Sequence, residues 1–158
     1  MTETNNDVQQ AQGKFTIQKI YAKDLSFEAP NSPQCFTEQW DPKVNLELNT
    51  NTQSVAEHNY EVVLSITVTV SNNDKTAYLV EVQQAGIFHL EEFPDTILRA
   101  MLGSFCPNIL FPYAREAVSD TVTRGGFPQL LLNPINFDAL YEQHLQQQAQ
   151  TADTSKPQ

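Results

Sequence analysis

From Tyr60 the chain reads YEVVLSITVTV, with Val62, Leu64, Ile66, Val68 and Val70 on alternate positions and Glu61, Ser65, Thr67 and Thr69 between them. Val63 is the one apolar exception. Alternation sustained over about eleven residues predicts a long strand with one buried face. The run TAYLVEVQQ repeats the period, with Tyr78, Val80 and Val82 alternating against Ala77, Leu79, Glu81 and Gln83. Between the runs, Ser71 to Lys75 is short, polar and rich in Asn and Asp, which suit turn geometry. The two runs form an antiparallel hairpin. A hairpin alone is only marginally stable, so other elements must pack on it or extend it.

Two further strands precede it. Phe15, Ile17 and Tyr21 alternate with Thr16 and Gln18, although Lys19 and Ile20 blur the phase, and Lys23 to Glu28 continues the strand. Pro30 and Pro33 stop it, because proline fixes φ and removes a backbone donor. The connection that follows, NSPQCFTEQWDP, carries Phe36 and the single Trp, Trp40. Aromatics in a long irregular segment either serve function or cover the edge of a sheet. Val44, Leu46 and Leu48 then alternate with polar residues in a short strand, and the polar stretch from Thr50 to Asn59 is expected to be a loop. After Gln84 the strand is expected to end or turn at Gly86.

The C-terminal part is helical. A helix from Asp95 to Leu102 is expected to end at Gly103, with acids near its positive end. Leu110, Ala114, Ala117, Val118, Thr121 and Val122 follow spacings of three and four in a second helix. Pro112 suits its first turn, and Gly125-Gly126 closes it after Arg124. FPQLLLNP is extended and apolar, and Asn136 caps a last helix that carries Phe137, Leu140, Tyr141 and Leu145 on one face. Residues 1–13 and 146–158 are polar and read as loose tails around one packed domain, 14–145.

Composition narrows the function. The chain has 158 residues, with 19 acids against 9 bases and a net charge of −10. Binding to nucleic acid or to anionic membrane surfaces needs basic clusters that are absent here. The charge suits either general solubility or docking to a basic partner. No apolar run reaches the roughly 18 residues of a membrane span, and the N-terminus lacks the order of a signal peptide. A cytoplasmic protein with reduced Cys35 and Cys106 follows, with a Cys35–Cys106 bridge as the less favoured alternative.

Catalytic chemistry is thinly provided. His58, His89 and His144 lie in different elements, and none has a partner at metal-ligand spacing. Cys106 sits between Phe105 and Pro107 in what reads as packing, and Glu91 and Glu92 read as a solvated helix start. The glycine pair follows a helix and lacks the Lys-Ser or Lys-Thr of a phosphate loop. The reading is a non-enzyme with no metal and no cofactor.

The segments FEAPNSP (27–33), EVQQAGIF (81–88), FCPNILFPYARE (105–116) and RGGFPQLLLNPINFDALY (124–141), in this order, closely resemble the SecB family of bacterial export chaperones. The resemblance runs from about Phe15 to Gln148. It implies an α+β fold: a four-stranded antiparallel sheet, with a crossover loop between the first two strands, packed against a long helix and a C-terminal helix. It implies a homotetramer, built as a dimer of dimers, that buries the long helix 110–124 and strand faces. Such a protein binds unfolded precursor proteins in the cytosol without ATP and hands them to the SecA translocase ATPase. Carried over residue by residue, the resemblance assigns SecA docking to Asp24, Glu28, Leu79 and Glu81. It assigns a client groove to Phe27, Phe36, Trp40, Val44, Leu46, Leu48, Phe137, Leu140 and Tyr141. The rival reading on the same fold is a passive module that binds folded partners through the acidic sheet surface.

Overall fold

A computed structural model describes residues 13–154. The tail expected at residues 1–13 therefore lies, apart from Gly13, outside the described residues. Strands β1 (Lys14–Glu28), β2 (Pro42–Ala56), β3 (Asn59–Asn72) and β4 (Lys75–Glu91) are followed by α1 (Asp95–Ala100), α2 (Cys106–Arg124) and α3 (Phe137–Thr154). The strands form one antiparallel sheet in the order β1-β4-β3-β2. The first two strands thus occupy opposite edges, and residues 29–41, with a 3-10 turn at Gln34–Thr37, cross between them.

The alternation read from the sequence sets the two faces. Val62, Leu64, Ile66, Val68 and Val70 of β3, and Tyr78, Val80, Val82, Phe88 and Leu90 of β4, are buried in one core with Leu110, Ala114, Val118 and Val122 of α2. The β3–β4 turn is two residues long, and Asn73 and Asp74 hold φ of 53° and 59°, a conformation these side chains accept. The blurred phase of β1 has a structural cause. Pairing with β4 slips between Ile17 and Lys19 and again between Ala22 and Asp24, so Phe15, Ile20, Leu25 and Phe27 all oppose core-facing positions of β4. Each bulge inserts one residue and re-phases the strand.

Four expectations are corrected. Thr50 to Ala56 is strand, not loop: it pairs from Thr50↔Leu64 to Ala56↔Asn59. Its side chains are polar and uncharged on both faces except Val55 and Ala56, so no alternation marked it, and pairing with β3 defines it instead. β4 does not end at Gly86 but runs to Glu91. A Cβ at Gly86 would lie 2.8 Å from the Phe88 ring and 3.1 Å from the Lys19 carbonyl, so glycine lets β1 and the core close over it. Gly103 does not end a helix either. The backbone stays helical from α1 through a π turn at Met101–Phe105 into α2. α3 also continues beyond Leu145 to Thr154.

α2 packs on β4 and β3, and α3 packs on the π turn. Among the described residues the π turn and α3 reach β2 only near Leu48, which leaves the strip at Val44 and Leu46 open. Among the described residues no helix is long and apolar enough to cross a membrane.

Candidate functional site

Two surfaces emerge, one on each face of the sheet. On the helix side, Phe127 is the hub of an aromatic cluster. Its ring lies 4.8 Å from Tyr78, 5.1 Å from Phe36, 5.7 Å from Trp40 and 6.4 Å from Phe27. The glycines that end α2 make this possible: a Cβ at Gly125 would sit 2.3 Å from the Phe27 ring, and Gly126 holds φ of 87°. β1, the crossover segment and the chain after α2 therefore meet at one point.

From this cluster Val44, Leu46 and Leu48 lead along β2. They oppose Val70, Val68 and Ile66 of β3, so they share the core-facing side. Val44 is nonetheless 50% exposed and Leu46 41%, because no helix lies over them. The stripe ends at a cavity of about 450 Å³ bounded by Leu48, Leu102, Phe137, Leu140 and Tyr141. α3 forms its roof. The Ser104 hydroxyl donates to the Asp138 carboxylate, and the Tyr141 ring lies against Gly103, where a Cβ would come within 2.6 Å. Asn136 caps α3 by accepting from the Ala139 amide at 3.0 Å.

The nine expected groove residues thus fall into three linked parts: Phe27, Phe36 and Trp40 at the aromatic hub, Val44 and Leu46 on the open strip, and Leu48, Phe137, Leu140 and Tyr141 at the cavity. Phe137 is buried, and so contributes packing more than surface. Sequence reading placed Tyr78 in the hairpin and Phe127 in an extended apolar segment, but did not assign these two rings, which hold the hub together, to the groove. Their only signal was an apolar aromatic beside a glycine pair and one buried position of the hairpin.

The opposite face carries the other set. Register aligns three rows across the four strands: Asp24–Gln83–Ser65–Asn49, Ser26–Glu81–Thr67–Glu47 and Glu28–Leu79–Thr69–Asn45. Asp24, Glu28, Leu79 and Glu81 therefore share one outward surface. Glu47 joins them. Its place was legible in the alternation of β2, but it was not singled out. These rows contain four carboxylates, one apolar side chain and no Lys or Arg.

A fifth carboxylate on this face differs. Glu61 accepts hydrogen bonds from the Tyr21 hydroxyl, from Lys23 Nζ at 2.9 Å and from Gln53 Nε2 at 3.2 Å, which ties both edge strands to β3. Ala85, with almost no side chain, lies beneath the reach of Tyr21. The Tyr21 hydrogen bond, then that of Lys23, hold the Glu61 carboxyl below its ordinary range. Burial, and then Glu61, push the Tyr21 phenol up to about 12.

Cys35 and Cys106 are both free and buried, and burial pushes the Cys106 thiol up to about 12, so it stays protonated and unreactive near neutral pH. His89 bonds Glu91 at 3.1 Å and Asn59 at 2.9 Å, an arrangement that joins strand ends. Hydrogen bonding from His89 lowers the Glu91 carboxyl. Among the described residues no three His, Cys, Asp or Glu side chains converge as metal ligands would.

A family described as preprotein translocase subunit SecB matches residues 8–148. The chain belongs to the SecB family. It is 55% identical over 157 residues to the protein-export protein SecB of Methylococcus capsulatus, with 99% of each chain covered. It is 59% identical over 152 residues to that of Nitrosococcus oceani, covering 95% of this chain and 91% of the relative. Its fold matches the SecB-like chaperone of Mycobacterium tuberculosis, solved with a peptide from an antitoxin, at a TM-score of 0.64 and 18% identity over 77% of this chain and 90% of that one. Membership places the chain among protein-export chaperones, which are not an enzyme class.

Proposed function

We propose that this SecB-family chaperone holds unfolded precursor proteins in the cytosol without ATP, keeps them competent for translocation and delivers them to the SecA motor. The observation that carries the reading is the uncovered strip of β2. It offers exposed Val44 and Leu46 between an aromatic hub and an apolar cavity. An unfolded segment is recognised by apolar side chains and unpaired backbone, and an edge strand with an open apolar face supplies partners for both. The Mycobacterium tuberculosis chaperone of the same fold was solved with a bound peptide, which agrees with such a role.

The outward face is the proposed SecA-docking surface. Asp24, Glu28, Glu47 and Glu81 would meet a basic element of the motor, with Leu79 as an apolar contact among them. The protein is proposed to act as a homotetramer, a dimer of dimers. Tyr113 and Leu131, 49% and 63% exposed beside the outer side of α2, give the helix layer apolar surface for a second copy to cover. Several weak grooves on one assembly let a long client bind by avidity.

The test is to dilute a denatured, slow-folding precursor into buffer with this protein and no nucleotide, and to follow light scattering. Suppression near one tetramer per client, with no binding of the folded precursor, is the expected result. Binding of the folded form alone would replace this reading with a passive module that docks partners through the acidic face.

A further inference from the structure

We propose that Asn72 is a positioning residue of the client groove, whose buried carboxamide holds Trp40 in place at the aromatic hub. The proposal rests on reading that hub as part of the client site. Asn72 ends β3, and Pro42, its partner in register, begins β2. Proline has no N–H to give to the ladder. Among the described residues Glu38 to Asp41, which lead into Pro42, make no backbone-to-backbone hydrogen bond.

The Asn72 side chain supplies what the main chain lacks. Its Oδ1 accepts from the Asp41 amide at 2.8 Å, and its Nδ2 donates to the Gln39 carbonyl at 3.0 Å. Those are the two peptide groups that flank Trp40, whose ring lies 5.7 Å from that of Phe127. The Asp41 amide can only donate and the Gln39 carbonyl can only accept. A carboxamide satisfies both, whereas a carboxylate accepts only and a Leu does neither. The β3–β4 turn does not explain the residue, because the positive φ angles fall on Asn73 and Asp74. Asn72 itself is 2% exposed, a burial that is costly for an amide unless both its halves are paired.

Gln39 and Asp41 are exposed. Without Asn72, water takes up their freed groups and the fold survives; what is lost is the position of the ring between them. The Glu38–Lys75 ion pair spans the same gap, but at 3.9 Å with Lys75 64% exposed it is a weak tie. A groove whose aromatic wall is already set binds a client without the cost of ordering that wall.

Trp40 is the single Trp, so its fluorescence has one source. Acrylamide quenching is compared in the full-length parent protein, Asn72→Leu and Lys75→Ala, with circular dichroism to check the fold. Asn72→Leu is expected to raise quenching and to weaken binding of a labelled, permanently unfolded polypeptide about two- to tenfold, the cost of immobilising one large side chain again. Lys75→Ala is expected to change neither. A loss of global stability alone would move neither reading under native conditions. In the parent protein the Asp41 amide should exchange its hydrogen more slowly than the Trp40 amide, each relative to its intrinsic rate. An Asp41 amide as fast as that of Trp40, or parent-like quenching in Asn72→Leu, would overturn the assignment. So would raised quenching with unchanged affinity for the polypeptide, or equal effects in Lys75→Ala. If the parent protein does not bind the polypeptide at all, the proposed function falls and the positioning role with it, even where exchange and quenching show Asn72 holding the segment.

Discussion

Along β4, Tyr78, Val80 and Val82 are at most 2% exposed, while Leu79 and Glu81 between them face away from the helices. One strand thus lives under two sets of rules. On the helix side, side chains are fixed by their neighbours, and changing one disturbs packing. On the outward side they touch mostly short Ser, Thr, Asn and Gln, so their identity is free to answer a partner. The outward face has its own exception: Glu61 is held by three donors, whereas Glu81 forms no ion pair among the described residues. A carboxylate that is bonded across strands belongs to the fold, and one that is not leaves its charge to the surface.

The contrast is best broken from the side where most is at stake. Phe127→Ala removes the hub ring and should cost about 3–5 kcal/mol of stability in urea unfolding. A loss below 1 kcal/mol would mean that the aromatic cluster is surface, not core. Asp24→Lys together with Glu81→Lys should move stability by no more than about 0.5 kcal/mol, as surface changes do. The same pair should weaken SecA binding about tenfold or more at low salt, an effect that shrinks as salt screens it. Unchanged SecA affinity at low salt would remove these residues from docking. Leu140→Asp, at a side chain 42% exposed, should lower affinity for a denatured client several-fold and leave SecA binding intact.

Glu61→Gln sharpens the distinction most. The Glu61 carboxyl is lowered in the folded protein, so its contribution is present above its unfolded value, near 4.3, and is lost as pH falls through the folded value. At pH 7 the variant should be less stable by about 1–2 kcal/mol, the scale of hydrogen bonds to a charged group. The gap to the parent protein should close on acidification. A gap that is the same at pH 7 and pH 3 would show that the carboxylate's charge is not what those donors hold.

Much of this contrast was legible in advance, and the reasons are local. The strict alternation of residues 60–84 gave the hairpin, its buried face and its outward face, because side-chain period is a direct consequence of strand geometry. What was not legible depended on partners distant in sequence. Thr50 to Ser54 becomes strand by pairing with β3. Gly103 lies inside a helix, where its missing Cβ makes room for the Tyr141 ring. The groove residues were named from family likeness. Only the fold shows that Val44 and Leu46 are exposed because α2 stops short of β2. Phe127 was hidden for the same reason, since a hub is defined by what converges on it.

The crossover has a consequence for how the chain assembles. β2, β3 and β4 follow one another through two-residue turns, but Lys14 pairs with Glu91, and the whole of those three strands lies between. Closing a longer loop costs more entropy, so the meander gains its contacts first and β1 docks onto it late. In pulse-labelling by hydrogen exchange during refolding, β1 amides should be the last of the sheet to gain protection. During synthesis β1 is made first and must wait, unpaired, until β4 has been made. Asp24 and Glu28 reach their places with it, so the acidic face is complete only once the sheet is closed. The surface proposed for SecA docking would then be presented only when the sheet is finished.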